Sequence, residues 1–353
     1  MHPPQVSSPD ASSLAVPADV GAGTAPAGTI PAATPSAGPW LEHVPAPLFA
    51  VGMGVTGLGI AWRKAGELVA APPLVGESIL ILAAVLFAAI TVLYGAKAVR
   101  FPKAVVQEFR HPIRANFFPA FSISILLLSL GALPHAPSLA LGLWAVGSVL
   151  HLGLTVTLLK RWILHDTHLA HSNPAWFIPI VGNIIAPLSA PALGFMEIAW
   201  FFFSIGVVFW LVLMTLLVYR IIFHDPLPVK ILPTLFIFMA PPSVGYLSYI
   251  GLTEGVVDGF ARVLIYTALF IALLLTSMIR NFLKVPFAVS WWAFTFPSAA
   301  LAGAVLDYGA RVGGPPVLTA LGWGVLALAT LIVTVVLIRT VAALLGGRLF
   351  IPD

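Results

Sequence analysis

Ten apolar stretches without a charged side chain follow one another along the chain, and this recurrence constrains the fold more than any other feature. Apolar runs of about 20 residues match the roughly 30 Å hydrocarbon core of a bilayer when they are helical. Backbone groups in lipid must be bonded within their own segment, which favours helices. We therefore predict an all-α polytopic membrane protein with ten transmembrane helices. The stretches are residues 44–62, 78–96, 116–133, 138–159, 174–194, 198–219, 231–250, 263–279, 286–306 and 317–338.

The two parts of the chain differ in composition. Residues 1–40 are rich in Pro, Ala, Ser and Gly and contain no Lys or Arg. Such a segment lacks the apolar residues that a packed core needs, so we predict a disordered cytoplasmic tail. Residues 41–350 form the predicted ten-helix transmembrane domain, because the chain as a whole is 59% hydrophobic and 8% charged.

The loops between the stretches carry positive charge unequally. Thirteen of the 17 Lys and Arg residues lie in loops that follow an even-numbered stretch or in the C-terminal segment. The opposite loops hold Arg63, Lys64, Arg262 and Arg311. Because cytoplasmic loops carry the excess of Lys and Arg, both termini are predicted to be cytoplasmic.

Proline alternates between the stretches. The odd-numbered stretches contain Pro45, Pro47, Pro119, Pro179, Pro187, Pro191, Pro233, Pro241, Pro242, Pro286 and Pro297, and the even-numbered stretches contain none. Proline kinks a helix and frees a carbonyl, which is tolerated at membrane depth beside protein or a water-filled cavity. The pattern predicts five hairpins with the kinked helices around a central pore. The alternative is a packed bundle that the prolines merely shape.

The apolar stretches contain no Asp, Glu, Lys or Arg, and His151 is the ionisable side chain among them. Proton-coupled carriers and cation channels use carboxylates at this depth, so a coupled pump is disfavoured. Backbone dipoles and the hydroxyls of Ser122, Ser124, Thr234 and Thr295 could instead stabilise an anion. With no cysteine and no carboxylate or metal cluster at depth, we expect no enzyme, cofactor or metal.

The loop after the second stretch is basic. Arg100, Lys103, Arg110 and Arg114 lie there and could concentrate anions at a pore mouth. Orientation of the chain in the membrane would also explain these residues without any transport role.

Several strings resemble the tellurite-resistance/dicarboxylate transporter family. They are Pro47-Leu-Phe-Ala-Val-Gly-Met-Gly54, Arg100-Phe-Pro102, Glu108-Phe-Arg-His-Pro112 and Pro286-Phe-Ala-Val-Ser-Trp-Trp-Ala-Phe-Thr-Phe-Pro297. The last is also similar to the plant slow-type guard-cell anion channels. The resemblance covers residues 44–350 and implies ten helices around a pore, a homotrimer, and a pore-blocking phenylalanine, here Phe296.

We expect further residues to line the pore. Phe118-Pro119 repeats the Phe-Pro pair, although core packing is an equal alternative. Asn183 at depth needs a partner, either a freed carbonyl or the water of a permeating ion. The full candidate set is Phe118, Pro119, Pro179, Asn183, Thr234, Thr295 and Pro297.

The function we expect is an anion channel for chloride, nitrate or similar small anions, gated by Phe296. The alternative is a carrier or exporter of tellurite, sulfite or C4-dicarboxylates such as malate. We expect a bacterial inner membrane location, contact with lipid and no nucleic acid partner.

Two short motifs carry little weight. Gly52-x-Gly54-x-x-Gly57 matches a dinucleotide fingerprint, but it lies inside an apolar stretch without a preceding strand, so close helix packing is expected. His165-x-x-His168-x-x-His171 shares one face if helical, yet a solvated loop is favoured over a metal site.

Overall fold

The computed structural model describes residues 40–165, 169 and 172–350. All regular secondary structure in these residues is helical, either α or 3-10, and they contain no β-strand. The tail predicted for residues 1–40 therefore lies, apart from Trp40, outside the described residues. The α-helices are α1 (Ala50–Val69), α2 (Pro73–Arg100), α3 (Pro102–Arg110), α4 (Pro119–Ala132), α5 (Pro137–Leu164), α6 (Phe177–Val181), α7 (Met196–Phe223), α8 (Ala240–Leu252), α9 (Gly259–Ser277), α10 (Ile279–Phe282), α11 (Thr295–Arg311) and α12 (Pro316–Leu345).

Eight helical segments of the described residues are long and apolar enough to cross a membrane. Two of the ten predicted spans fall outside this set. Every 18-residue window of α1 contains Arg63, Lys64 and Glu67, and the apolar helix Pro174–Leu188 is short. The eight are Pro73–Arg100, Arg114–Ala132, Pro137–Leu164, Met196–Phe223, Val229–Leu252, Gly259–Ser277, Val289–Arg311 and Pro316–Leu345.

Largely buried and largely exposed helices alternate along the chain. In the most apolar windows of α2, α5, α7, α9 and α12, between 17% and 33% of residues are buried. The corresponding windows of the segments that contain α4, α8 and α11 are 72%, 78% and 83% buried. The proline-containing segments therefore form the inside of the bundle, and the long smooth helices surround them.

Each inner segment begins with a 3-10 turn and continues as an α-helix. The five turns are Ala46–Phe49, Arg114–Phe117, Pro174–Trp176, Val229–Met239 and Val289–Phe294. Proline fixes φ and has no N–H, so it fits these tight turns and the first turn of a helix better than a helix interior. The alternation of proline in the sequence thus corresponds to a change of helix type.

Prolines also leave carbonyls without a backbone donor, and side chains supply the missing hydrogen bonds. In a 3-10 helix a carbonyl accepts from the N–H three residues later, which proline lacks. Three carbonyls in this position accept from a side chain instead. They are Val44, Ile184 and Lys230, which bond to Lys97 Nζ, Ser248 Oγ and Ser290 Oγ respectively.

The inner segments contact one another in a closed circuit. Helix α1 packs against α4 and α11, and α8 packs against α11 and the 3-10 helix Gly182–Leu188. That 3-10 helix also contacts α4, which completes the circuit. Each inner segment packs against the outer helix that follows it in the chain, so the bundle consists of five neighbouring pairs.

Glycines let several outer helices approach their inner partners closely. A Cβ on Gly206 of α7 would lie 2.0 Å from Ile184 Cγ2 and 2.9 Å from the Ile184 nitrogen. On α2, a Cβ on Gly76 would lie 2.6 Å from the backbone nitrogen of Arg63. Gly147 of α5 and Gly322 of α12 face leucines of the inner helices in the same way. Small residues at helix contacts are typical of membrane proteins.

Helix α9 begins at a side-chain cap. The Asp258 carboxylate accepts from the Ala261 N–H at 2.9 Å and from the Tyr249 hydroxyl at 2.6 Å. Bonds to the charged form, first that of Ala261, hold the pKa of Asp258 below its usual range. The cap also ties the end of α8 to the start of α9.

The Ser248 hydroxyl, which donates to the Ile184 carbonyl, gives a test of the side-chain hydrogen bonds to carbonyls that proline leaves without a donor. In Ser248→Ala we expect the free energy of unfolding to fall by about 1–3 kcal/mol, because a buried carbonyl loses its partner. Thermal unfolding of the purified protein in detergent measures the change. Ser204→Ala is the control, since Ser204 is exposed on α7 and should alter stability little. Equal stability of the two variants would contradict the assignment.

Candidate functional site

Three cavities lie along the inside of the bundle. The proximal vestibule, about 860 Å³, is lined by residues near both described ends of the chain, including Glu42 and Leu349. The distal vestibule, about 500 Å³, is lined by the far ends of the inner helices, including Arg63 and Arg311. Between them lies a central constriction of about 60 Å³.

The cavities share wall residues and therefore adjoin in series. Pro47, Val289 and Ser290 border both the proximal vestibule and the constriction. Val244 and Phe296 border both the constriction and the distal vestibule. A path along the bundle thus passes from one vestibule to the other through one narrow apolar region.

The constriction lies at the centre of the inner circuit, since all five inner segments contribute to its wall. Met53 comes from α1, Ile123 from α4, Val181 from α6, Val244 from α8 and Phe296 from α11. All are apolar and buried. Water and ions gain no compensation for lost hydration from these side chains, so the region opposes passage in the described conformation.

Phe296 occupies the boundary between the constriction and the distal vestibule. Its side chain lies in the first turn of α11, directly after the 3-10 turn, and its relative exposure is 7%. The ring packs against Gly57 of α1, where a Cβ would lie 2.9 Å from Phe296 Cδ2. Gly54 faces the neighbouring Thr295 in the same way, with 2.1 Å from a Cβ to Oγ1. The glycine motif of α1 therefore makes room for the start of α11.

The structure brings few of the other candidate pore-lining residues to the path. Pro297 lines the constriction beside Phe296. On the 3-10 turn before α4, Phe117 faces the constriction, whereas the Phe118 ring packs edge-on against Phe109 and Tyr94. The candidates outside the walls of the three cavities are Phe118, Pro119, Pro179, Asn183, Thr234 and Thr295.

The polar groups at this depth bond to carbonyls rather than face the cavity. The hydroxyls of Thr234 and Thr295 donate to the carbonyls of Ile231 and Trp292. Asn183 donates from Nδ2 to the Ile180 carbonyl at 2.7 Å and to Thr155 Oγ1 at 2.9 Å. The Nδ2 group of this amide thus has a carbonyl and a hydroxyl as partners.

Two further groups belong to the same polar layer. The Pro119 carbonyl accepts from Ser122 Oγ, which also lies 2.9 Å from His151 Nδ1. The Pro179 carbonyl accepts from Thr155 Oγ1 at 2.6 Å. Ser124 donates to the carbonyls of Ala120 and Phe49. The hydroxyls proposed from sequence as anion donors thus stabilise the backbone of the inner helices.

Charged side chains meet in the distal vestibule. Asp307 of α11 is 1% exposed and contacts Lys64 Nζ at 2.8 Å, Arg311 Nε at 2.7 Å and the Tyr246 hydroxyl at 3.0 Å. These contacts join the ends of α1, α8 and α11. Arg63 pairs with Glu77 of α2 at 2.7 Å. Buried charges need such partners.

The expectation of transmembrane helices without charge is corrected by this arrangement and by a second buried pair. Helices α2 and α11 extend past the apolar stretches and carry Lys97 and Asp307 inside the bundle. Lys97 Nζ lies 2.7 Å from Glu108 Oε2 and 2.6 Å from the Val44 carbonyl. Ion pairing is the physical reason that these charges are buried. The constriction itself is lined without charged residues.

The basic wall of the proximal vestibule differs from the one predicted. Arg114 lines the cavity, but Arg100, Lys103 and Arg110 do not. The Arg110 carbonyl instead accepts from Arg161. The cations that the prediction missed are Lys97, Lys230, Arg339 and Arg348. The sequence places them near the ends of apolar stretches on the side with excess Lys and Arg, but it does not show that they meet in space.

The histidine motif yields no site in the described residues. His165 is exposed, and its Nδ1 lies 3.3 Å from the Arg161 carbonyl. His168 and His171 lie outside the described residues.

The fold and the path together define a class: an all-helical, multi-pass membrane protein with a constricted route through its centre. Comparison with known proteins identifies the family. A family model described as SLAC1, voltage-dependent anion channel, matches residues 43–341, so the chain belongs to this family. The relatives include plant proteins named as S-type anion channels and archaeal proteins named as uncharacterized transporters.

Three relatives illustrate the range of the family. S-type anion channel SLAH2 of Arabidopsis thaliana is 31% identical over 285 residues, 78% of this chain and 54% of that protein. S-type anion channel SLAH3 of the same plant is 30% identical over 312 residues, which are 86% of this chain and 49% of that protein. The tellurite resistance protein TehA homolog of Haemophilus influenzae is 22% identical over 269 residues, which are 75% of this chain and 81% of that protein. The chain spans about half the length of the two plant proteins.

The buried Lys97–Glu108 pair offers a test of how the site is held. Glu108 also accepts from the Ala46 N–H at 2.6 Å, just before Pro47 of the constriction wall. In Glu108→Gln we expect the free energy of unfolding to fall by about 3–5 kcal/mol, since Lys97 loses its counter-charge. Chemical or thermal unfolding in detergent measures it. Glu67→Gln at the exposed end of α1 is the control, and an equally small effect in both variants would refute the role of the pair.

Proposed function

We propose that this chain is a channel for small anions, in which Phe296 closes the central constriction. The observation that carries the proposal is the series of two vestibules joined by a narrow apolar region bordered by Phe296. A hydrophobic constriction blocks ions by excluding water, and rotating or removing a large ring lowers that barrier. The names of the plant relatives support anions as the permeating species.

The size of the constriction favours chloride, nitrate and similar ions over larger substrates. A cavity of about 60 Å³ admits a small number of water-sized groups. Passage of a C4-dicarboxylate such as malate would need a wider opening in addition to movement of Phe296. The absence of a charged residue from the constriction wall also fits conduction, because a fixed cation at the narrowest point would hold an anion too tightly to release it.

We propose ten membrane crossings arranged as five hairpins around this path. Helix α1 together with the turn Ala46–Phe49 forms the first crossing, and Pro174–Leu188 with the following turn forms the fifth. The closed circuit of inner segments supports this arrangement, because a missing crossing would leave a gap in the wall.

The excess of Lys and Arg at the end of the bundle that holds both described ends of the chain supports a cytoplasmic proximal vestibule. The four cations Arg114, Lys230, Arg339 and Arg348 around it would raise the local concentration of anions. We further propose a location in the bacterial inner membrane and assembly as a homotrimer. The apolar outward faces of α2, α7 and α12 can contact either lipid or a neighbouring protomer.

The proposal predicts a larger anion current in Phe296→Ala. We expect a roughly tenfold increase, which corresponds to a barrier lowered by about 1.4 kcal/mol, with a reversal potential that follows the anion gradient. Purified protein in planar bilayers, with chloride, nitrate and malate on opposite sides, provides the measurement.

Phe294→Ala is the matched control. Phe294 lies in the same segment and is equally buried, but its ring packs against Phe236, Phe282 and Trp291 away from the three cavities. No current in either variant, together with labelled tellurite, sulfite or malate uptake that requires a proton gradient, would replace the channel by a coupled carrier.

A further inference from the structure

The proximal vestibule carries more positive charge than conduction of small anions requires. Five cationic and two acidic side chains line it, a surplus of three positive charges. The Lys97–Glu108 pair is internally neutral. Lys230, Arg339 and Arg348 are exposed to the cavity and form no ion pair among the residues that the structure describes. Three cationic side chains are thus available to a ligand.

The three cations come from separate elements that meet at one end of the bundle. Lys230 lies in the first turn of Val229–Met239, and its carbonyl is held by Ser290 Oγ of the constriction wall. Arg339 lies on α12, and Arg348 follows that helix. The arrangement therefore presents charge from several sides of the vestibule.

Backbone contacts fix the position of Arg348. Beyond α12 the chain reverses at Gly347, where φ is 65°, a conformation that glycine adopts without strain. The Arg348 N–H donates to the Ala343 carbonyl at 2.9 Å. Phe350 then stacks on Trp40, with ring centroids 5.8 Å apart. The backbone of Arg348 is thereby held beside the vestibule, which the residue lines, by a folded segment that connects both described ends of the chain.

The volumes of the proximal vestibule and the constriction differ, so an anion can be small enough to enter the vestibule and still too large to pass the constriction. The vestibule holds about 860 Å³, which lies within the usual range of about 300–1,000 Å³ for small-molecule sites. The constriction beyond it holds about 60 Å³. A phosphate chain or a nucleotide fits the first volume and exceeds the second. Guanidinium groups bind phosphate oxygens in bidentate geometry, which suits such an anion better than a single chloride.

We propose that the proximal vestibule is a binding site for multivalent phosphate anions that carry a triphosphate group. Lys230, Arg339 and Arg348 hold the phosphates, and the bound anion obstructs entry to the constriction. The binding site stands on the vestibule alone, whereas the obstruction rests on the proposed channel function. Either inorganic tripolyphosphate or a nucleoside triphosphate supplies the required chemistry.

Isothermal titration of the purified full chain in detergent tests the site without any current. We expect saturable binding of tripolyphosphate at low ionic strength, weakened by salt. The double variant Arg339→Gln/Arg348→Gln should bind at least about tenfold more weakly, because two charge-assisted contacts are lost. Lys103→Gln, an exposed cation at the same end but outside the cavity wall, should bind as the wild type does.

Two comparisons sharpen the result. Orthophosphate should bind more weakly than tripolyphosphate, because it cannot reach cations on several elements. ATP binding as tightly as tripolyphosphate identifies the triphosphate group as the recognised part, and much tighter ATP binding assigns a role to the nucleoside. The proposal is overturned if the wild type binds none of these three ligands. It is also overturned if Lys103→Gln and the double variant lose the same amount of affinity for tripolyphosphate.

The bilayer recording separates this site from the channel. Tripolyphosphate added on the side of the proximal vestibule should reduce the Phe296→Ala current, and addition on the opposite side should not. Binding by titration without any anion current would keep the phosphate site and reject the channel. An anion current without tripolyphosphate binding would keep the channel and reject the phosphate site.

Discussion

The buried carbonyls at the proline-containing ends of the inner helices are the constraint on which the remaining structure depends. Each proline removes an N–H in a region where water is not available to replace it. Ser248 supplies a hydroxyl to the Ile184 carbonyl, and Lys97 supplies an ammonium to the Val44 carbonyl. These bonds permit a 3-10 turn followed by an α-helix in the centre of the bundle, and the change of helix type directs the side chains that form the constriction.

Polarity is consequently distributed in layers along the path. The hydroxyls near the constriction are occupied by carbonyls, so its wall is apolar. Charges lie at the two vestibules, where Asp307 joins Lys64 and Arg311 at one end and Glu108 joins Lys97 at the other. The ion pairs fix the helix ends, whereas Lys230, Arg339 and Arg348 of the proximal vestibule form no ion pair within the part of the chain that the structure describes. A short apolar barrier between two polar regions is the arrangement expected of a hydrophobic gate.

The sequence predicts much of this fold but little of the side-chain orientation. Apolar stretches, loop charges and alternating prolines predict an all-helical membrane protein with inner and outer helices. The lining residues are harder to predict, because 3-10 and α-helices turn by different angles per residue and the junction shifts the facing side chain from Phe118 to Phe117. The sequence also does not predict that charged residues of α2 and α11 lie inside the bundle. Their ion-pair partners are distant in the sequence or lie at helix ends that the apolar stretches do not mark.

The central claim is that one closed constriction beside Phe296 separates two vestibules that open on opposite sides of the membrane. The chain contains no cysteine, so a single introduced thiol can be labelled without background. Ser290→Cys lies on the proximal side and Leu247→Cys on the distal side. With a membrane-impermeant thiol reagent, the account predicts that each cysteine reacts from one side and that the two sides are opposite. Reaction of both from the same side, or of either from both sides, would contradict it.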